Sequence, residues 1–214
     1  MLKSQITRST AQGRQALEAG LAVSALALLM FLTPAGASAN HAANQLDICC
    51  AWDSNLADGV LTYKISGGDT TAQSTVRAAV EDWEVVPGLT LTEVFVKTKA
   101  NINIKFKQGG GRIAGQALRH FDRNGFIESV DLIISGSAFG DPNNQATIAE
   151  ITRHEMGHAL GLGHANFDDL MDPTVGGVNT ISACDVEGVK AANHWKLVDG
   201  VNTPHQPHVT HVGC

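Results

Sequence analysis

The run His154-Glu155-Met156-Gly157-His158-Ala159-Leu160-Gly161-Leu162-Gly163-His164 decides how this chain is read. Ile148, Ile151, Met156 and Leu160 recur at helical spacing and predict an amphipathic helix across residues 145–161. Residues four apart share a helix face, so His154 and His158 can turn both imidazoles to one ion. Glu155 follows the first histidine and can reach a water on that ion rather than the ion itself. Gly161 and Gly163 lack a Cβ, which lets the chain leave the helix through a conformation costly for other residues and bring His164 back as a third ligand. Three protein ligands and one open position make a catalytic zinc site, whereas structural zinc is usually closed by four ligands, often cysteines. A bare H-E-x-x-H can arise in an unrelated helix. The extended spacing fixes three histidines, a glutamate and a glycine, and it is far more specific.

Ahead of this helix the chain alternates. Residues 60–65 read as a strand closed by Gly67-Gly68. Asp69 or Thr70 can cap a helix in which Val76, Ala79, Val80 and Trp83 share one face, and Pro87-Gly88 ends it. Residues 89–97 and 101–106 predict two more strands, and Gly109-Gly110-Gly111 a flexible connection. Residues 113–121 and 126–134 flank Asp122-Arg123-Asn124-Gly125, whose Asn-Gly is a hairpin signal. A loop follows over residues 136–144. Ser182 with Asp185 three residues on is capping-box-like, with Asp in place of Glu or Gln, and opens a last helix. Strands grouped before the long helix predict an α+β fold rather than a regular βαβ alternation.

The 214 residues suit one domain or two small ones, and 43% apolar with 17% charged residues is the composition of a folded protein. A net charge of −6 and the lack of a basic run argue against a nucleic-acid partner. Residues 1–39 read as a signal peptide: Lys3, Arg8 and Arg14 precede an apolar run from Gly20 to Leu32, and Ala37-Ser38-Ala39 offers a cleavage site before Asn40. The alternative is an uncleaved membrane anchor, but the run falls short of the roughly 20 apolar residues of a spanning helix. If the signal is removed, an acidic exported chain remains, with no stable membrane insertion. Cys49, Cys50, Cys184 and Cys214 all remain, an even count that predicts two disulfides among three connectivities. A vicinal Cys49–Cys50 bond is strained, so each is expected to reach Cys184 or Cys214.

Together with Leu170-Met171-Asp172-Pro173, the zinc motif resembles that of the metzincin metallopeptidases, and this turn most resembles the matrixin version. Weaker matches run in the right order: Trp52, the strand at 61–65, the helix ending near Trp83, and Asp185-Val186 with Gly188. The resemblance covers residues 50–196. It implies a twisted mixed sheet of about five strands with three helices, and a catalytic domain over residues 40–200 with a tail at 201–214. It implies a secreted, extracellular zinc endopeptidase, a monomer acting on polypeptides, with one catalytic zinc on His154, His158 and His164 and Glu155 as general base to a zinc-activated water. Gly161, Met171, Pro173 and Asp185 would support the site. Ala117, Leu118 and Arg119 would form a sheet edge along which substrate pairs, and an ordinary edge strand is the alternative. Ala165, Asp172 and Cys184 depart from the family, which usually carries Ser, often Tyr, and Asp at those places. No propeptide cysteine is expected, since about ten residues separate the cleavage site from Cys49.

Other signals are weaker. His120 with Asp122, or Asp141-Pro142-Asn143-Asn144, could hold a structural calcium or second zinc, but a turn and a helix cap explain them as well. His205, His208 and His211 recur at three-residue spacing, for which a solvated tail is favoured over a metal site. His194 reads as part of a packed helix terminus. Cys49 or Cys50 could also close the zinc site as a thiolate. In a different class stands a catalytically silent zinc-bearing binding or surface protein, against which Glu155 argues.

Overall fold

The computed structural model describes residues 43–95, 97–107, 113–135, 145–174, 178 and 180–214. The proposed signal segment, the triple glycine at 109–111 and the loop 136–144 lie outside them. In chain order the elements are β1 (Gln45–Ile48), β2 (Val60–Ser66), α1 (Thr70–Glu81), β3 (Thr90–Glu93), β4 (Ile102–Lys107), β5 (Gly115–Phe121), β6 (Ile127–Ser135), α2 (Gln145–Ala159), β7 (Leu162–Ala165), α3 (Ala183–Ala192), the one-turn α4 (His194–Leu197) and β8 (His211–Gly213).

Five strands form one sheet in the order β3-β2-β4-β6-β5. All neighbours are parallel except β5, which returns antiparallel on β6 through the Asn-Gly turn. One set of alternating residues is buried: Leu61 and Tyr63 on β2, Ile102 and Ile104 on β4, and Val130, Leu132 and Ile134 on β6. Their alternation with more exposed residues marks a sheet covered on one face. Val76, Ala79 and Val80 of α1 and Ile148 and Ile151 of α2 join the same core cluster or lie buried beside it. Asp69 caps α1 by accepting from the Ala72 N–H at 2.8 Å. Ser182 and Asp185 complete the expected capping box on α3. The fold is therefore α+β, as the element order implied.

A second, three-stranded sheet in the order β7-β1-β8 is absent from the sequence reading. Its strands of three or four residues are too short to show a period. This sheet also corrects the expected cysteine pairing: the structure joins Cys184 to Cys214 and Cys49 to Cys50. Antiparallel pairing sets Gln45 opposite Gly213, and the Cys214 N–H donates to the Asn44 carbonyl at 2.9 Å. Cys49 is then five residues along β1, roughly 16 Å from that end at the strand rise, too far to bridge to Cys214. Paired with each other, Cys49 and Cys50 offer no thiolate to a metal.

Candidate metal centre and active site

The end of α2 and the turn after it set the site. Gly161 has φ +104°, and a Cβ there would strike the Cys50 carbonyl and stand 2.9 Å from the Ala192 Cβ. Only glycine fits this exit. Two buried side chains hold the turn's carbonyls. The Trp52 indole donates to the Ala159 carbonyl at 2.9 Å, and the Asn193 amide donates to the Leu160 carbonyl at 2.9 Å. The chain then enters β7, whose pairing with β1 presents His164 to the same space as His154 and His158. The third histidine of the motif is thus carried by a strand.

The ligand atoms of the three histidines lie within 4.8 Å of one another, with ring centroids 4.8–5.6 Å apart. His154 Nδ1 lies 2.7 Å from the Leu170 carbonyl and His158 Nδ1 lies 3.0 Å from the Leu162 carbonyl. A ring nitrogen facing a carbonyl must donate, which leaves Nε2 of each ring as a free lone pair. Burial lowers the pKa of His154, and it pushes that of His158 down to about 3, so both rings are held neutral. Neutral imidazoles with fixed tautomers fit zinc. Beneath them lies buried Met171; a Cβ on Gly157 would overlap its sulfur. Met171 is therefore a floor, and its carbonyl accepts from the Ala165 N–H at 2.9 Å.

Glu155 is 7% exposed and faces the edge strand β5. Burial pushes its carboxyl up to about 7, while a hydrogen bond from the Ala117 N–H and the charge of Arg119 pull the other way. Arg119 also reaches the Leu162 carbonyl at 3.4 Å. Ala117, Arg119, Glu155, the three histidines and Pro173 line one cleft of about 700 Å³. Leu118 alternates out of it and is 40% exposed. Gly115 was not singled out in the sequence, although a glycine inside a strand is a signal of close approach. A Cβ there would stand 2.6 Å from Glu155 Oε1 and from Ile151 Cγ2. Gly115→Ala is expected to lower kcat at least tenfold and to destabilise by about 1–3 kcal/mol through overpacking, with zinc content unchanged. Steady-state kinetics beside a thermal melt checks this.

A family model for the matrixins matches residues 51–192. The chain belongs to the matrixin family. This matrixin is 32% identical over 134 residues to human matrix metalloproteinase-19, an alignment spanning 56% of this chain and 26% of that protein. It is 27% identical over 173 residues to matrix metalloproteinase-27 of Tupaia belangeri, spanning 73% and 33%. It therefore spans about a quarter to a third of the length of these relatives. The solved structure of myroilysin aligns with a TM-score of 0.48 at 15% identity, covering 68% of this chain and 96% of that one.

Asp185, expected to support the site, lies away from the cleft on α3. Its Oδ2 accepts from the Ser182 N–H at 2.8 Å, and the Ser182 hydroxyl donates to Asp169 at 3.1 Å. Asp169 precedes Leu170, whose carbonyl holds His154. Burial and the nearby Asp169 charge both raise the Asp185 carboxyl, and Oδ1 is buried without a donor among the described residues. A folded acid with a raised pKa binds more protons than the unfolded chain, so the stability that Asp185 contributes falls as pH rises above about 4, by at most about 1.4 kcal/mol per pH unit for one proton. Asp185→Asn should change this dependence in thermal melts between pH 4 and 8; an unchanged pH profile contradicts a raised Asp185 carboxyl.

The remaining sequence signals resolve as follows. His120 faces Asp131 at 3.6 Å, and Asp122 accepts the Asn124 and Phe126 N–H groups as a hairpin turn does. His211 sits on β8 with its ring beside the Thr210 hydroxyl. His194 is not simply packed with its buried neighbour Trp195: its ring faces Asp199 at 3.0 Å.

Proposed function

We propose that this matrixin is a secreted zinc endopeptidase, with zinc on His154, His158 and His164 and Glu155 as general base. One observation carries the reading: two neutral, tautomer-fixed imidazoles converge with a third beside a buried carboxylate, in a cleft bordered by a free sheet edge. Zinc in that position would supply Lewis acidity, polarising a peptide carbonyl and acidifying a water molecule.

The chain's own groups do the rest. Glu155 takes the proton from water on its carboxylate and later gives it to the leaving amine. A carboxyl near neutrality suits both transfers, because a general base works best with a pKa close to the operating pH. Arg119, drawn in over the strand, favours the ionised form of Glu155 before the transfer. Among the described residues, the outer side of β5 has no neighbouring strand in its sheet. An extended polypeptide can pair along it and lay one peptide bond across Glu155. Substrate binding by backbone pairing favours unfolded or extended chains. Export accords with the signal-like residues 1–39 and with cysteines that pair among themselves.

The test is the pattern of cuts. Incubation of the full chain with unfolded casein should release fragments whose new termini, read by mass spectrometry, lie inside the casein sequence. Removal of terminal residues alone, or intact casein, contradicts the endopeptidase reading.

A further inference from the structure

A second cluster of metal-binding side chains lies outside the cleft, beyond residue 192, where the family match ends. His194 stands on α4, Asp199 just after it, and His205 and His208 in the segment that leads to β8. Their ligand atoms all lie within 4.8 Å of one another. Asp199 Oδ2 is 3.0 Å from His194 Nδ1 and 3.3 Å from His205 Nε2. The His205 and His208 rings lie 4.5 Å apart, and the His194 and His208 rings 5.5 Å apart.

We propose that His194, Asp199, His205 and His208 bind a second zinc ion, as a closed structural site that staples the C-terminal segment to the last helix.

The donor set is three imidazole nitrogens and one carboxylate oxygen, a tetrahedral zinc set with no open position. This contrasts with the cleft, where three histidines leave one position free. Bonds of about 2.0–2.1 Å put tetrahedral ligand atoms roughly 3.3 Å apart, close to the two Asp199 spacings. The wider spacings need only small rotations of side chains that are 34% exposed at His194 and His205 and 39% at Asp199.

Backbone geometry supports the cluster. The Asp199 N–H donates to the His194 carbonyl at 2.9 Å, and the Val201 N–H donates to that of Trp195 at 2.9 Å. Buried Trp195 anchors this turn, so two of the four ligands are held in place. Pro204 and Pro207 each precede a histidine ligand and restrict the chain that carries it. Gln206, between them, reaches the Asn124 carbonyl on the β5–β6 turn at 3.4 Å.

Electrostatics point the same way. One carboxylate oxygen of Asp199 faces two of the three imidazoles. A divalent cation set among the three imidazoles and the carboxylate bonds to all four at once. The segment between Asp199 and β8 buries little: Val201 and Val209 are 43% and 45% exposed. An ion there closes a loop that apolar packing leaves loose.

The test counts metal. The full chain and its variants are dialysed against buffered zinc and then assayed by mass spectrometry. Native protein should hold two zinc ions per chain, and the double variant His205→Ala/His208→Ala one, with casein hydrolysis unchanged. His158→Ala should also hold one, so failure in the cleft is distinguishable from failure in the tail. Cobalt substitution adds a readout independent of activity: the double variant should lose about half of the native visible absorbance. If circular dichroism shows that variant unfolded, His208→Gln should weaken the tail zinc at least tenfold in a chelator competition. One zinc in the native chain that is lost in His158→Ala, or two in the double variant, overturns the proposal.

Discussion

Glu155→Gln is expected to lower kcat for casein hydrolysis by roughly a thousandfold, within the range that a positioned acid–base group contributes. The amide is nearly isosteric with the carboxyl, so it fits the same space against Gly115 and its oxygen still accepts from the Ala117 N–H. It cannot take a proton from water or return one to an amine. Substrate pairing along β5 does not depend on that proton, so KM should change little while kcat collapses. Zinc content should equal that of the native chain, because the histidine tautomers are fixed by Leu170 and Leu162 rather than by Glu155. A variant that keeps more than about a tenth of native kcat at equal zinc contradicts a general base at Glu155.

Asn193→Leu should be among the most damaging substitutions for stability. This side chain, 1% exposed, ties three elements together. Its carbonyl oxygen accepts from the Trp52 N–H at 3.0 Å, and its amide donates to the Leu160 carbonyl at 2.9 Å and to that of Val189 at 3.2 Å. Val189 keeps another donor in the Asn193 backbone N–H. Leucine leaves the Trp52 N–H and the Leu160 carbonyl buried and unpaired, at about 1–3 kcal/mol each. A total loss of roughly 2–6 kcal/mol corresponds to a fall in Tm on the order of 10 °C for a chain of this size. Asn193→Asp keeps the acceptor for Trp52 but turns a buried carboxylate to the Leu160 and Val189 carbonyls, so it too should melt well below the native chain. Because Leu160 opens the turn to His164, the leucine variant should also inactivate sooner on warming. Equal melting of native and leucine proteins contradicts the tie.

The parts of this molecule legible in the sequence are those where local chemistry and long-range packing agree. The face of α1, its Asp69 cap, the Asn-Gly hairpin and the Ser182–Asp185 box each announce themselves within a few residues. The zinc motif reads the same way, since helical spacing alone aims His154 and His158 together. What stayed hidden depends on partners far along the chain. β1, β7 and β8 exist because residues 45–48 meet two short segments more than a hundred residues away. That sheet decides how His164 enters the site and which cysteines meet. Gly115 looked like one glycine among many until Glu155 stood against it. His194 looked like a helix end, and only the fold brings Asp199, His205 and His208 round to it.

The most direct test of the central claim is metal removal and return. The full chain is stripped with a zinc chelator, assayed on casein, and then titrated with zinc. Hydrolysis should vanish on stripping and return with zinc at the cleft, and the Glu155→Gln variant should take up zinc equally and stay inert. Casein cleavage that survives complete zinc removal, or that returns equally in the glutamine variant, contradicts a zinc endopeptidase built on His154, Glu155, His158 and His164.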